Sequence, residues 1–237
     1  MKKLCEIGHD RGEFDLETET TNQPDITQED FWHNVQAVWD YTELPAHTLY
    51  NLYCAVRYLV AAKIAGDFVE CGVLLGGSVM MSQLVLARHE RASRRVYALD
   101  TFSGFVTRDP ELDIDLESGE PVGVVEVERY DHSEAAMENI HSIRYPYLDV
   151  IKGDVIQTIP KLDITRIALL CLDTVTYETT RFELESLYDR VVQGGVIIVY
   201  DYGYAVGCKK AVDDFLAKQA PVMMQRINKN VRCWIKP

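Results

Sequence analysis

The chain has no apolar run long enough to cross a bilayer, which excludes a membrane-spanning helix. It also lacks any C-x-x-C spacing. Cys5, Cys54, Cys71, Cys171, Cys208 and Cys233 are scattered singly, so they read as reduced thiols rather than zinc ligands or disulfides. Basic residues are scarce: 24 Lys and Arg are outnumbered by 37 Asp and Glu, for a net charge of -13. A nucleic-acid binder needs a basic footprint, and none is present. Met1-Lys2-Lys3 has the charge of a signal peptide, but acids and glycine follow where an apolar segment belongs. A cytoplasmic protein that does not engage membranes is therefore expected. Low-complexity tracts, internal repeats and the G-x-G-x-x-G fingerprint of dinucleotide binders are missing too.

The stretch GDFVECGVLLGGS (66–78) is the most informative feature present. A short apolar strand ends in Glu70 and enters a turn containing Gly72, Gly76 and Gly77, followed by an apolar run of helical length. Glycines here let backbone approach a small ligand without obstruction. An acid at the strand end repels a pyrophosphate but suits a cationic amino group. S-adenosylmethionine, with its ammonium and sulfonium, therefore fits better than a dinucleotide.

Short apolar runs alternate with helical patterns through the rest of the chain. The pattern predicts strands at 67–71, 95–100, 148–152, 166–172 and 195–200, and helices at 77–90, 132–143, 177–190 and 207–219. Near-continuous apolar strands indicate a parallel sheet buried on both faces, built from βαβ units. A hairpin is expected where 222–227 and 231–235 flank Asn228-Lys229-Asn230. This plan is α/β: a class I methyltransferase (Rossmann-like) sheet of seven strands with helices on both faces. Ahead of it, 26–41 and 48–65 read as added helices, the first N-capped by Thr27, while 1–25 reads as a flexible acidic arm. The division expected is 1–65 as lid or assembly segment and 66–237 as the methyltransferase domain. The long segment 101–130 is expected to border the active site.

Ligands of such sheets lie beyond the carboxyl ends of the strands, which sets the candidate residues. Glu70, Gly72 and Gly76 belong to the first strand and its turn. Asp100 ends the second strand, where a carboxylate can accept from ribose hydroxyls or simply shape a turn. Asp154 follows the third strand and can accept from an adenine amino group. Ser78, at a helix N-terminus, can hold a carboxylate or serve only as a cap. Asp173 and Asp201 follow the fourth and fifth strands and face the crevice as candidate catalytic groups. His132 is a further candidate base, with a helix-start role as its competing explanation. Phe31, Trp32, Trp39 and Tyr41 read as packing rather than as an acceptor pocket.

Five motifs in series, GDFVECGVLLGGS, LDTFSGF (99–105), KGDVIQTIP (152–160), ALLCLDTVTYETT (168–180) and the run from GGVIIVYDYG to KKAVDDF (194–215), resemble the macrocin O-methyltransferases. That resemblance implies an enzyme that methylates sugar hydroxyls, often in bacterial natural-product pathways. It adds Thr48 and Thr101 to the cofactor-binding set and implies assembly into a homo-oligomer. It also implies a divalent metal beside the sulfonium, and here the chain departs from the pattern. Val175 stands where the family has a second acid after the fourth strand, and Tyr200 replaces the first acid of the D-D-Y motif. Asp173 and Asp201 remain, able to hold Mg²⁺ if it is bound, but an apolar side chain and a phenol are poor ligands for a hard cation. The expectation is a small-molecule O-methyltransferase that works without metal, with Asp173 as general base. Two alternatives stay open: a different acceptor, such as a carboxylate or amine, or an inactive protein that binds S-adenosylmethionine as a partner.

Overall fold

The computed structural model describes residues 3–7, 12–90, 94–104, 108–122 and 133–237. Three helices precede the sheet: α1 (Leu16–Asn22), α2 (Glu29–Val38) and α3 (Ala46–Ala61). Strands and helices then alternate as β1 (Asp67–Cys71), α4 (Gly77–His89), β2 (Val96–Asp100), α5 (Ser133–Ser142), β3 (Leu148–Lys152) and α6 (Val155–Thr158). They continue as β4 (Ile167–Leu172), α7 (Tyr177–Leu187), β5 (Val191–Val199) and α8 (Val206–Leu216), and the hairpin β6 (Gln225–Arg226) and β7 (Arg232–Ile235) closes the chain.

The seven strands lie in the order β3-β2-β1-β4-β5-β7-β6. The first five are parallel, while β7 runs antiparallel to β5 and β6 antiparallel to β7. The order reverses between β1 and β4, so a crevice opens beyond their carboxyl ends. Side chains alternate between the two faces of the sheet. Phe68, Ala98, Ala168 and Ile198 join one core with α2, α3 and α4, while Val69, Leu99, Leu170 and Ile197 join the opposite core with α7 and α8. Both faces are covered, which is why β4 is buried along its whole length. Among the described residues, no helix is long and apolar enough to cross a membrane.

Several boundaries differ from those expected. The described residues of the first 25 do not form an unstructured arm: α1 forms with Asp15 as N-cap, Leu4 is buried, and Trp39 donates from Nε1 to the Gly12 carbonyl. Apolar anchors spaced too irregularly to show periodicity hold this segment down. Thr27 is not the N-cap of α2; Gln28 takes that position without a side-chain bond. Helix α3 begins at Ala46, directly after Pro45, and ends at Ala61. Strand β5 starts at Val191, because Gly194 in the left-handed region (φ 79°) lets the strand shift register against β4 and continue.

The described part of the long segment after β2 is strapped onto the helical layer. Ile114 accepts from the Val206 amide, Asp115 bridges to Ala205, and Leu116 donates to the Tyr204 carbonyl. Asp113 is fully buried and accepts from the amides of Tyr177 (2.8 Å), Arg108 and Asp109 (both 3.2 Å). A carboxylate at the N-terminus of α7 suits the helix dipole. Asp113→Ala leaves those amides without an acceptor and is expected to cost about 2 kcal/mol. Urea unfolding should show this as a lower midpoint at unchanged slope, and limited proteolysis should cut faster within 108–122.

Candidate active site

A cavity of about 230 Å³ opens at the carboxyl ends of β1, β4 and β5. Val73, Leu74 and Ser78 come from the glycine turn and the start of α4, Asp173 follows β4, and Tyr200 and Asp201 follow β5. The wall on one side is the 41–45 segment with Thr48 of α3, and on the other the hairpin residues Asn228, Asn230 and Val231. These two walls meet: Asn228 Nδ2 donates to Thr48 Oγ1 at 2.7 Å, and Thr48 is fully buried.

Each acid at a strand end has a specific polar environment. Glu70 is buried and accepts from the Ser78 hydroxyl, and burial pushes its carboxyl up to about 8. Asp100 Oδ2 accepts from the Val73 (2.5 Å) and Leu74 (3.1 Å) amides, and Oδ1 from the Phe102 amide (2.7 Å). It braces the glycine turn, so its turn-shaping role is realised. Asp154 caps α6 through the Ile156 amide and pairs with Arg108 from the long segment. Thr101 donates to the Gly104 carbonyl at 2.7 Å.

Asp173 and Asp201 are neighbouring carboxyls on the cavity wall, and each affects the other's ionisation. Burial raises both: Asp173 well above the carboxylate range and Asp201 to about 6. The Val175 amide also donates to Asp201, from a residue held at φ 66°. That conformation is strained for a β-branched side chain, and such strain concentrates at functional sites. Gly72 (φ 84°) lies so close to the Asp173 carbonyl that a Cβ would collide with it. Gly76 (φ 92°) caps α4 against Ile140.

The macrocin-O-methyltransferase (TylF) family matches residues 23–236. The chain belongs to that family. It is accordingly an O-methyltransferase that uses S-adenosylmethionine. Two relatives are a tetracenomycin-type rhamnosyl 4'-O-methyltransferase of Streptomyces olivaceus (31% identical, covering 72% of this chain and 67% of the relative) and the demethyldecarbamoylnovobiocin O-methyltransferase of Streptomyces niveus (30%, covering 75% and 68%). Among solved structures, the O-methyltransferase NovP superposes with a TM-score of 0.69 at 26% identity, covering 83% of this chain and 82% of its own.

As a macrocin-type methyltransferase, the chain brings Thr48, Ser78, Asp173 and Asp201 to one cavity. Glu70 and Gly72 adjoin it through Ser78 and Asp173, whereas Asp100 and Asp154 serve neighbouring turns. His132 lies outside the described residues. The aromatic stripe packs as expected, except that Tyr41 lines the cavity. None of the described residues of 101–130 lines this cavity: Phe102 packs in the core with α2, α3 and α4, Arg108 pairs with Asp154, and 113–116 dock on α7 and the start of α8. Asn228, Asn230 and Glu43 are cavity residues that the sequence reading missed. Their only signal was the hairpin turn and a Pro-terminated loop, each far in sequence from the motifs.

The cofactor's ammonium fits a buried acid with a hydroxyl beside it, Glu70 with Ser78, whereas the Cβ directions of Gly72 and Gly76 are filled by the Asp173 carbonyl and Ile140 rather than left open for a ligand. A metal fits less well. Among the described residues no three His, Cys, Asp or Glu side chains converge, and Val175 and Tyr200 offer no carboxylate.

Glu70 generates a pH prediction. Its folded value of about 8 lies above the unfolded ~4.3, so the apoprotein should lose stability as pH rises from about 4 through 8. An ammonium beside it favours the carboxylate, so S-adenosylhomocysteine should expel up to one proton on binding at neutral pH and bind more tightly as pH approaches 8. Calorimetry in buffers of different ionisation enthalpy measures this release. Glu70→Gln should abolish it and weaken binding about tenfold or more.

Proposed function

We propose that this enzyme methylates a hydroxyl of a sugar or similar small molecule in a bacterial biosynthetic pathway, and that it does so without a metal ion. The observation that carries this reading is that two carboxyls, Asp173 and Asp201, line the cavity while Val175 and Tyr200 stand where the family pattern has its other acids. Relatives that act on a rhamnosyl group and on a novobiocin precursor support a glycosyl acceptor.

When bound, S-adenosylmethionine would supply an electrophilic methyl carbon, to which the acceptor oxygen would bond while the carbon–sulfur electron pair leaves with the thioether of S-adenosylhomocysteine. The ionised member of the Asp173–Asp201 pair accepts the hydroxyl proton and fixes the acceptor's orientation. Tyr200 is buried beside the pair, its hydroxyl 3.9 Å from Cys171 Sγ, and keeps that wall free of water. Glu70 receives the cofactor's ammonium. Ser78 can hold its carboxylate only once its hydroxyl hydrogen turns away from Glu70. Asp100 and Thr101 serve the ribose, since Asp100 keeps lone pairs beyond its three amide bonds. Asp154 serves the adenine, Gly72 and Gly76 let the turn beside the cofactor pack against the Asp173 carbonyl and Ile140, and Thr48 covers the cofactor from α3.

The same reading takes residues 1–65 as the lid and assembly segment of a cytoplasmic homo-oligomer, and 66–237 as the methyltransferase unit. Its test is turnover in chelator-treated buffer, which should stay within about twofold of the untreated rate. Asp173→Asn and Asp201→Asn should each lower kcat by roughly 10²–10⁴ while S-adenosylhomocysteine affinity changes little. Loss of turnover on chelation, restored by Mg²⁺, would overturn the metal-free mechanism.

A further inference from the structure

Helix α7 buries Thr180, Glu183, Leu184 and Leu187, so an acid stands in its inward stripe. Glu183 is fully buried and does not line the cavity. Burying a carboxyl carries a cost that an apolar residue in the same place would not. Burial raises Glu183 well above the usual carboxylate range, and the nearby Asp201 and Asp154 carboxyls add to this, so it keeps a proton at neutral pH. Its Oε2 accepts from Thr174 Oγ1 at 3.0 Å. Thr174 stands between Asp173 and Val175, and Val175 is held at φ 66°, a strained conformation for a β-branched residue. The loop is tied at its start, where the Asp173 amide donates to the Cys71 carbonyl at 2.8 Å. It is tied at its end, where the Thr176 hydroxyl donates to Thr179 Oγ1 at 2.7 Å. Between those ties, the Thr174–Glu183 bond anchors the strained centre to a helix. Without that anchor Val175 is free to relax to an ordinary φ, which reorients the loop that carries Asp173.

We propose that Glu183 is a positioning residue for methyl transfer: acting through Thr174, it fixes the strained loop that aims the Asp173 carboxyl at the acceptor hydroxyl. This rests on the reading of Asp173 and Asp201 as the proton-accepting groups. A neutral acid suits the task, because it accepts a hydrogen bond without placing another negative charge beside them. An amide oxygen can do the same. An apolar side chain of similar size fills the space but leaves Thr174 unanchored. The cofactor's ammonium site is untouched by such a change, because Glu70 and Ser78 belong to β1 and α4 rather than to this loop.

The test compares Glu183→Gln, Glu183→Leu and Thr174→Val in the full chain with S-adenosylhomocysteine bound. Crystal structures should show the 173–176 loop in place in Glu183→Gln. In the other two it should be displaced, with Val175 released from the left-handed region. S-adenosylhomocysteine affinity should stay within about twofold in all three, and Glu183→Leu should melt no lower than the unaltered protein. Turnover is followed on methyl rhamnoside, because one relative acts on a rhamnosyl group. Glu183→Leu and Thr174→Val should each lower kcat roughly tenfold to a hundredfold at a KM within about twofold. Glu183→Gln should keep kcat within about threefold, and the Leu and Val changes combined should cost no more than either alone. A loop that keeps its place in Glu183→Leu and Thr174→Val overturns the proposal, as does one that Glu183→Gln displaces equally. Losses of affinity and melting temperature in step with kcat mark a purely structural role and overturn it too. If the unaltered enzyme does not methylate the rhamnoside, the loop position decides alone. If Glu183→Leu does not fold, Thr174→Val removes the same bond from the loop side. Asp173→Asn separates the two levels of the argument. At full rate it removes the proton-accepting reading on which the proposal rests, whereas a slow Asp173→Asn beside a full-rate Glu183→Leu removes the proposal alone.

Discussion

Carboxylates taken out of water at the ends of parallel strands are the constraint on which this structure depends. Each carries an effective penalty of several kcal/mol unless it is protonated or hydrogen-bonded. The chain meets that penalty differently at each strand. Glu70 is pushed up to about 8 by burial and accepts from the Ser78 hydroxyl, Asp100 collects three backbone amides, and burial raises both Asp173 and Asp201. Glu183, fully buried on α7, is likewise raised by burial and accepts from Thr174 at 3.0 Å, which steadies the loop carrying Asp173. These solutions give the crevice its shape, because amides drawn toward Asp100 hold the glycine turn and the amide drawn toward Asp201 holds Val175 in the left-handed region.

The departures from the family pattern acquire a physical meaning in this light. Residue 175 contributes to the site through its backbone N–H rather than through a side chain. Tyr200 fills with an aromatic ring the place of an acid, so fewer negative charges need offsetting beside the pair. What remains is a pair able to take up one proton, which is the minimum that O-methylation requires of the protein once donor and acceptor are aligned.

Closure of the site joins parts far apart in sequence. The hairpin turn at Asn228 folds over the start of α3 and bonds Thr48, while Asn228 Oδ1 accepts from the Asn230 and Val231 amides. The N-terminal helices share one core with β1, β2 and α4, so Phe31, Leu49 and Tyr53 pack with Phe68 and Val79. Cofactor cover and sheet core are thereby mechanically continuous. The acidic residues of the long segment divide likewise: Asp113 is a buried helix cap, whereas Asp115 turns the chain at the surface.

Local chemistry made much of this legible in the sequence. Short apolar runs announced β1, β2, β3 and β4 nearly to the residue, although β3 lies at the sheet edge and is only partly buried, and glycines after an acid marked the turn following β1. Acids at strand ends were readable as site candidates, since parallel sheets place ligands there. Other features depended on partners that periodicity does not reveal. Helix α1 forms within an acidic stretch held down by Leu4, Phe14 and Trp39, and β5 extends back to Val191 only because Gly194 permits a register shift. The sequence by itself determined the sheet, its crevice and the surviving acids. Only tertiary structure decided that Asp173 and Asp201 line one cavity, that Glu43 and Asn230 join them and that residues 113–116 dock on α7 and the start of α8, because each follows from which distant groups meet in space.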